Sequence, residues 1–179
     1  MTRITQQYKD KVVPALMKQF EYSNIHEVPK ITKVTLNIGL GRVSKDPAFI
    51  EVAEANLTAI SGQKPVRNKA KKSIAGFKIR QGQVVGMSVT LRKQRMFDFL
   101  EKLVSMTLPR VRDFHGIDKK LVDQHGNLNI GFRENAAFPE VKSDELERLH
   151  GLEINVTTTA RNREEGLALF TELGFPFKQ

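Results

Sequence analysis

The 179-residue chain contains no cysteine. Disulfides and thiolate metal sites are therefore excluded. It has no run of about 18 apolar residues, so no helical membrane span is encoded and no membrane partner is expected. The opening Met-Thr-Arg-Ile-Thr-Gln-Gln has no apolar core of a secretory signal, and a cytoplasmic location is expected. Signatures of catalysis are equally scarce. No phosphate-binding glycine loop ends in Gly-Lys-Ser/Thr, and Gly-x-Ser-x-Gly is absent. Gly39-Leu40-Gly41 follows a predicted strand, but Ser44 stands where a dinucleotide site needs its third glycine. His26, His115, His125 and His150 show no metal-ligand spacing. Asp144, Glu145 and Glu147 fall at a predicted helix start, where the helix dipole favours acids. No catalytic residue, metal or cofactor is expected.

One further absence organises the chain. Between Glu54 and Asp98 there is no acidic residue, yet the stretch holds ten Lys or Arg: 64, 67, 69, 71, 72, 78, 80, 92, 93 and 95. The whole chain carries +9, from 29 basic and 20 acidic residues, and the balance outside this window is −1. The excess charge is thus one local feature. Such a block is either a solvated basic loop or the counterpart of a polyanion, for which a polyphosphate backbone is the commonest candidate.

What remains reads as a folded protein of ordinary composition, with 40% hydrophobic and 27% charged residues. A single domain over 1–179 is expected. Residues 8–22 set Val12, Leu16 and Phe20 four apart, an amphipathic helix with a start or kink at Pro14. In residues 31–38, Val34, Leu36 and Ile38 alternate with Lys33, Thr35 and Asn37, as in a half-buried strand. Asp46-Pro47 opens a helix that buries Ile50, Ala53, Leu57 and Ile60 and stops at Gly62. Val66 fits a short strand. Residues 69–82 read as a long flexible basic loop whose apolar residues have no period. Val85, Met87, Val89 and Leu91 then alternate with Ser88, Thr90 and Arg92. A helix over 94–108 is predicted to bury Phe97, Leu100 and Val104. Strands follow at 127–133 and 152–157, with a short acidic helical turn at 143–148 between them. A last helix over 163–173 is capped by Asn162 with Glu165 and ended by Gly174.

Strands with one apolar and one polar face, interspersed with helices, predict an α+β sandwich. Its sheet is antiparallel-rich, with helices on one face and the other face open. Lys33, Thr35, Asn37, Ser88, Thr90, Arg92, Asn155, Thr157 and Thr159 should project from the open side. Hydroxyls, amides and cations suit phosphate oxygens, sugar hydroxyls and base edges. The pattern also fits an ordinary solvated sheet, but the adjoining basic block favours RNA. With no aromatic on that face, a structured RNA read by shape is favoured over a stacked single strand. An RNA-acting enzyme would need acids or histidines beside the block, which has neither. A free RNA chaperone is the remaining rival.

Several stretches carry a resemblance. They are Val28-Pro-Lys-Ile-x-Lys-Val-Thr-Leu-Asn37, Ala59-Ile-Ser-Gly-Gln-Lys-Pro65, Lys72-Ser-Ile-Ala-Gly-Phe-Lys-Ile-Arg-Gln-Gly82, Val89-Thr-Leu-Arg92, Pro109-Arg-Val-Arg-Asp-Phe114, Thr157-Thr-Thr-Ala160 and Phe175-Pro-Phe-Lys178. In this order, over nearly the whole chain, they resemble the bacterial large-subunit ribosomal protein five family, which binds 5S rRNA. The resemblance implies an RNA-recognition-like domain of the central protuberance. Its partners would be 5S rRNA, large-subunit rRNA, neighbouring ribosomal proteins, P-site tRNA and small-subunit protein thirteen. Asn37, Gln63 and Thr90 match the family's positions for 5S rRNA, and Lys33, Thr35, Lys64, Arg67, Ser88 and Arg92 are expected beside them. The loop around 71–82, with Lys71, Lys72, Ser73, Phe77, Lys78 and Arg80, matches the segment that reaches tRNA. Segments 109–116 and 136–148, with Arg110, Arg112, Asp144 and Glu145, match those facing the small subunit.

Overall fold

The alternating segments all become strands. In a computed structural model, which describes residues 3–41, 43, 46–141 and 150–178, they are β1 (Ile31–Gly39), β2 (Val66–Lys69), β3 (Val84–Leu91), β4 (Leu128–Phe132) and β5 (Leu152–Thr158). They form one antiparallel sheet in the order β2-β3-β1-β5-β4, in an α+β fold with the helices on one side. Val34, Leu36 and Ile38 of β1 are buried, as are Met87, Val89 and Leu91 of β3 and Leu152, Ile154 and Val156 of β5. Their polar alternates stay half-buried or exposed. By the density of its internal contacts the chain sorts into two compact units.

The first unit comprises Met1–Val34, Leu91–Ile130 and Asn155–Gln179. Its helical start is earlier than the expected 8–22. Helix α1 (Arg3–Gln7) runs through one π-helical turn (Tyr8–Val12) into α2 (Val13–Phe20). Apolar spacing missed α1 because Ile4 is its one buried residue. The π turn explains how Pro14 is accommodated. The Val13 N–H donates to the Tyr8 carbonyl, five residues back, so the ladder is already shifted where the proline ring would meet the preceding turn. Helix α4 (Lys93–Lys102) ends in a second π turn (Leu103–Thr107) and a 3₁₀ turn (Leu108–Arg110). The predicted face of this helix was misplaced. Met96, Phe99, Leu100 and Leu103 are buried at helical spacing, and Phe97 and Val104 lie half out on the flank. Helix α1 packs on α4, and α2 packs on α5 (Arg163–Glu172). The α5 cap forms as expected: Asn162 Oδ1 accepts from the Glu165 N–H at 2.9 Å, and Glu165 Oε2 accepts from the Arg161 N–H at 2.8 Å.

The second unit comprises Thr35–Thr90 and Gly131–Ile154. Helix α3 (Pro47–Ser61) begins where expected. Asp46 Oδ1 accepts from the N–H groups of Ala48 and Phe49 at 3.0 and 3.2 Å, and Pro47 opens the first turn. Ile50, Ala53, Leu57 and Ile60 are its buried stripe. Gly62, at φ 65°, ends it and donates to the Thr58 carbonyl at 2.8 Å. Strand β2 pairs with β3 in the register Val66↔Ser88, Arg67↔Met87, Asn68↔Gly86, with a bulge at Asn68/Lys69. Leu40 N–H donates to the Val85 carbonyl at 2.9 Å, tying the end of β1 to β3. The acidic turn expected at 143–148 lies outside the described residues.

Candidate nucleic-acid interface

Within the second unit, register alone decides which side chains leave the sheet on its open side. Met87 is buried under the helical layer, so its antiparallel partner Arg67 shares that side. Ser88 and its partner Val66 take the other, together with Asn68. Asn68 Nδ2 donates to Ser88 Oγ at 3.1 Å. Thr35 and Asn37 are half-buried on β1 and Thr90 is exposed on β3. Asn37 Nδ2 donates to Glu153 Oε2 at 3.2 Å. Apart from Val66, these side chains are short, neutral and hydrogen-bonding. The Glu153 carboxylate beside them is engaged by Asn37.

Gln63 follows the Gly62 stop and is half-buried. Its N–H donates to Ser61 Oγ at 3.2 Å, and its carbonyl accepts from the same hydroxyl at 2.9 Å. The peptide at 63 is thereby fixed, and Lys64 next to it is exposed. Arg67, expected among the RNA-facing residues, has a different neighbour. Its Nε donates to Glu54 Oε2 at 2.7 Å, and Nη2 closes on the same oxygen. One cation of the block is thus already matched by an acid at the block's border.

Residues 69–82, expected as a long flexible basic loop, carry the backbone bonds of a small hairpin. Ala70 N–H donates to the Gln83 carbonyl, and Gly82 N–H to the Ala70 carbonyl, at 2.8 and 2.9 Å. Further out, Ile74 and Ile79 exchange both backbone bonds around a 3₁₀ turn at Ala75–Phe77. Lys78 closes that turn at φ 55°. Side chains lock the stem: Ser73 Oγ accepts from Gln81 N–H, and Gln83 Oε1 accepts from Arg80 N–H, at 3.0 and 3.1 Å. Lys71, Lys72, Ser73, Lys78 and Arg80 are exposed, as are Ile74 and Phe77. Apolar periodicity missed this order because backbone bonds and two polar side chains make it.

The remaining candidates fall in the first unit. Lys33, Asn155 and Thr157 are half-buried, and Arg92 and Thr159 are exposed. Thr159 is tied to Lys30 in both directions: its N–H donates to the Lys30 carbonyl, and its Oγ1 accepts from Lys30 N–H. Arg110 and Arg112 are exposed after α4. Asp144 and Glu145 lie outside the described residues. Sequence reasoning did not select Asn68 or Glu153. Glu153 was legible as a polar alternate on β5, but Asn68 sits on a strand too short to show a period. Among the described residues no cluster of His, Asp or Glu could hold a metal ion, and no helix is long and apolar enough to cross a membrane.

Known proteins resolve the family. The family model for ribosomal protein L5 matches residues 24–80, and the model for the C-terminus of the same ribosomal family matches residues 84–177. The chain belongs to the ribosomal L5 family. It is similar to the large ribosomal subunit protein uL5 of Cupriavidus metallidurans, at 54% identity over 98% of each chain. The uL5c protein of Rhodomonas salina is also 54% identical, over 95% of this chain and 94% of its own. The uL5 of Nostoc punctiforme is 49% identical over 99% and 97%. As an L5-family member the chain is a structural, non-enzymatic constituent of the large ribosomal subunit, in the cytoplasm. The L5 assignment leaves the open face and the basic hairpin as the surfaces to be explained.

Proposed function

We propose that this L5-family protein attaches 5S rRNA to the large subunit in the central protuberance, and that its basic hairpin meets P-site tRNA. The observation that carries the reading is the second unit's division of labour. Thr35, Asn37, Asn68, Ser88 and Thr90 offer neutral hydrogen-bonding groups on rigid strands, with no aromatic among them. The hairpin offers exposed cations on a separate projection. Neutral groups fixed on a sheet suit a partner held in one register, since each must meet its own acceptor. Mobile cationic side chains suit a phosphate surface that arrives and departs. The resemblance at Asn37, Gln63 and Thr90 supports 5S rRNA as the first partner, and that over residues 71–82 supports tRNA as the second. The same resemblance supports a bridge to small-subunit protein thirteen through segments 109–116 and 136–148, with Arg110, Arg112, Asp144 and Glu145.

The test is binding to 5S rRNA against an unrelated structured RNA of equal length, across a salt series. A preference for 5S rRNA that persists as salt rises is expected, because neutral hydrogen bonds are not screened. Equal affinity at every salt concentration would refute the assignment. A deletion of residues 72–80 separates the two surfaces. It should leave 5S rRNA binding within a few-fold and weaken tRNA retention in the P site. The reverse outcome would place the hairpin in the 5S site.

A further inference from the structure

Phe77 is 74% exposed and Ile74 46% exposed, on a hairpin whose other large outward side chains are cationic or polar. Neither apolar side chain is required to hold the hairpin together, because the Ile74–Ile79 bridge and the Ala75–Phe77 turn are closed by backbone bonds. Neighbouring exposed apolar groups rimmed by polar residues mark a contact surface, whereas single ones do not. Here they are three residues apart across a 3₁₀ turn, and Lys71, Lys72, Lys78 and Arg80 flank them with no acid anywhere from 55 to 97.

We infer that Phe77, with Ile74 beside it, is an apolar platform for the flat face of an RNA base or the open end of a base stack. This rests on the reading that the hairpin meets tRNA. The charge selects the class of partner. An apolar protein surface would have to bring its own acids to lie among four cations, whereas RNA presents flat apolar base faces already rimmed by phosphates. Every base has such a face, so stacking is tolerant of sequence. A surface that must accept each tRNA in turn gains contact area this way without reading base edges. The two kinds of side chain then differ in their response to salt. The cations act through counterion release, whose strength falls as salt rises. The Phe77 face acts through stacking and desolvation, which salt screens little.

The test uses ribosomes assembled with variant protein, and measures P-site tRNA dissociation over a salt series. Phe77→Ala should weaken retention about tenfold or more, the scale of one base–aromatic stack, with the salt slope unchanged. Phe77→Tyr should retain most of the affinity and Phe77→Leu little, since a ring is needed and not merely a hydrophobe. Lys78→Gln with Arg80→Gln should weaken retention and flatten the slope. If the cation variant weakens retention and Phe77→Ala does not, the platform is overturned and the tRNA reading stands. If neither variant has an effect, the tRNA reading itself fails. If Phe77→Ala leaves tRNA untouched and impairs incorporation of the protein into the subunit, the surface faces a ribosomal protein or rRNA, and the platform for tRNA is overturned.

Discussion

Replacing Gly166 with alanine sets two effects of opposite sign against each other, and the structure decides between them. Gly166 is the fourth residue of α5 and is buried. In an open helix interior the change stabilises by about 1 kcal/mol through helix propensity. Here the added Cβ would sit 2.4 Å from Gly126 Cα and 2.6 Å from Gly126 O. Carbon atoms in contact lie about 3.5–4.0 Å apart, so roughly 1 Å must be given up. No side chain is available to give it, because the neighbour is backbone. That backbone is itself held: the Gly126 carbonyl accepts from Thr158 Oγ1 at 2.9 Å, and Asn127 Oδ1 accepts from Thr158 N–H at 3.0 Å. Overpacking against rigid atoms costs about 1–3 kcal/mol and occasionally more; with three backbone atoms closer than 3 Å the upper part of that range applies, about 2–3 kcal/mol, so Gly166→Ala should be destabilised by about 1–2 kcal/mol net. In a chain of this size each kcal/mol lowers the melting temperature by about 2–4 °C. Thermal and urea unfolding followed by circular dichroism measure it. A melting temperature at or above that of the unchanged protein would show that the 126 turn yields freely, and would refute the reasoning.

Three other substitutions probe the surfaces. Asn37→Ala should cost about 1–3 kcal/mol of 5S rRNA affinity by leaving a partner unpaired, with unfolding free energy altered by no more than about 0.5 kcal/mol; unaltered affinity in a folded variant counts against the open face. Glu54→Gln breaks a pair in which Arg67 is 47% exposed and Glu54 16%, so stability should fall by at most about 1 kcal/mol, and the freed guanidinium should steepen the salt dependence of RNA binding by about one phosphate's worth; an unchanged slope would mean that Arg67 stays away from RNA. Asp123 is subject to burial, which raises its pKa, but the bonds from Asn127 Nδ2 and from the N–H groups of Asn127 and His125 outweigh it, so its carboxyl titrates below the ordinary 3.8. A lowered folded-state value stabilises above the unfolded value and is lost as pH falls through the folded one. Asp123→Asn should therefore weaken the protein more at pH 7 than at pH 2, and an equal cost at both would contradict the shift.

The strands and their faces were legible because period-two alternation is a local property: Val34, Leu36 and Ile38 announce the buried side of β1 without any partner. The same holds for the α3 stripe and for the Asp46 and Asn162 caps, whose acceptors lie two or three residues from their donors. What escaped was set by register or by short-range backbone geometry. The direction of Arg67 depends on its standing opposite Met87, and nothing within Val66–Lys69 reveals that pairing. The face of α4 was misread because six apolar residues crowd 96–104 and several stripes fit them; packing selects Met96, Phe99, Leu100 and Leu103. The helical start at Arg3 carries a single buried side chain and so no stripe. Of the candidate interface, the charge was fully visible as a run without acids. The hairpin's internal order was not, since Ser73 and Gln83 make it through bonds to main-chain groups that composition does not encode.

Strand β2 is outermost in the strand order and only four residues long. An outer strand offers unpaired main-chain groups to any passing strand, including the same strand of a second molecule. Two such edges meeting here would bring Arg67 and Lys69 of one copy against those of the other, with the bulge at Asn68/Lys69 throwing the pairing out of step. The cations at this edge thus oppose its pairing with the same strand of a second copy. That protection is electrostatic, so it weakens wherever a polyanion neutralises the edge without burying it. Short RNA fragments in excess should therefore drive the isolated protein into aggregates, and the complete partner should keep it in solution.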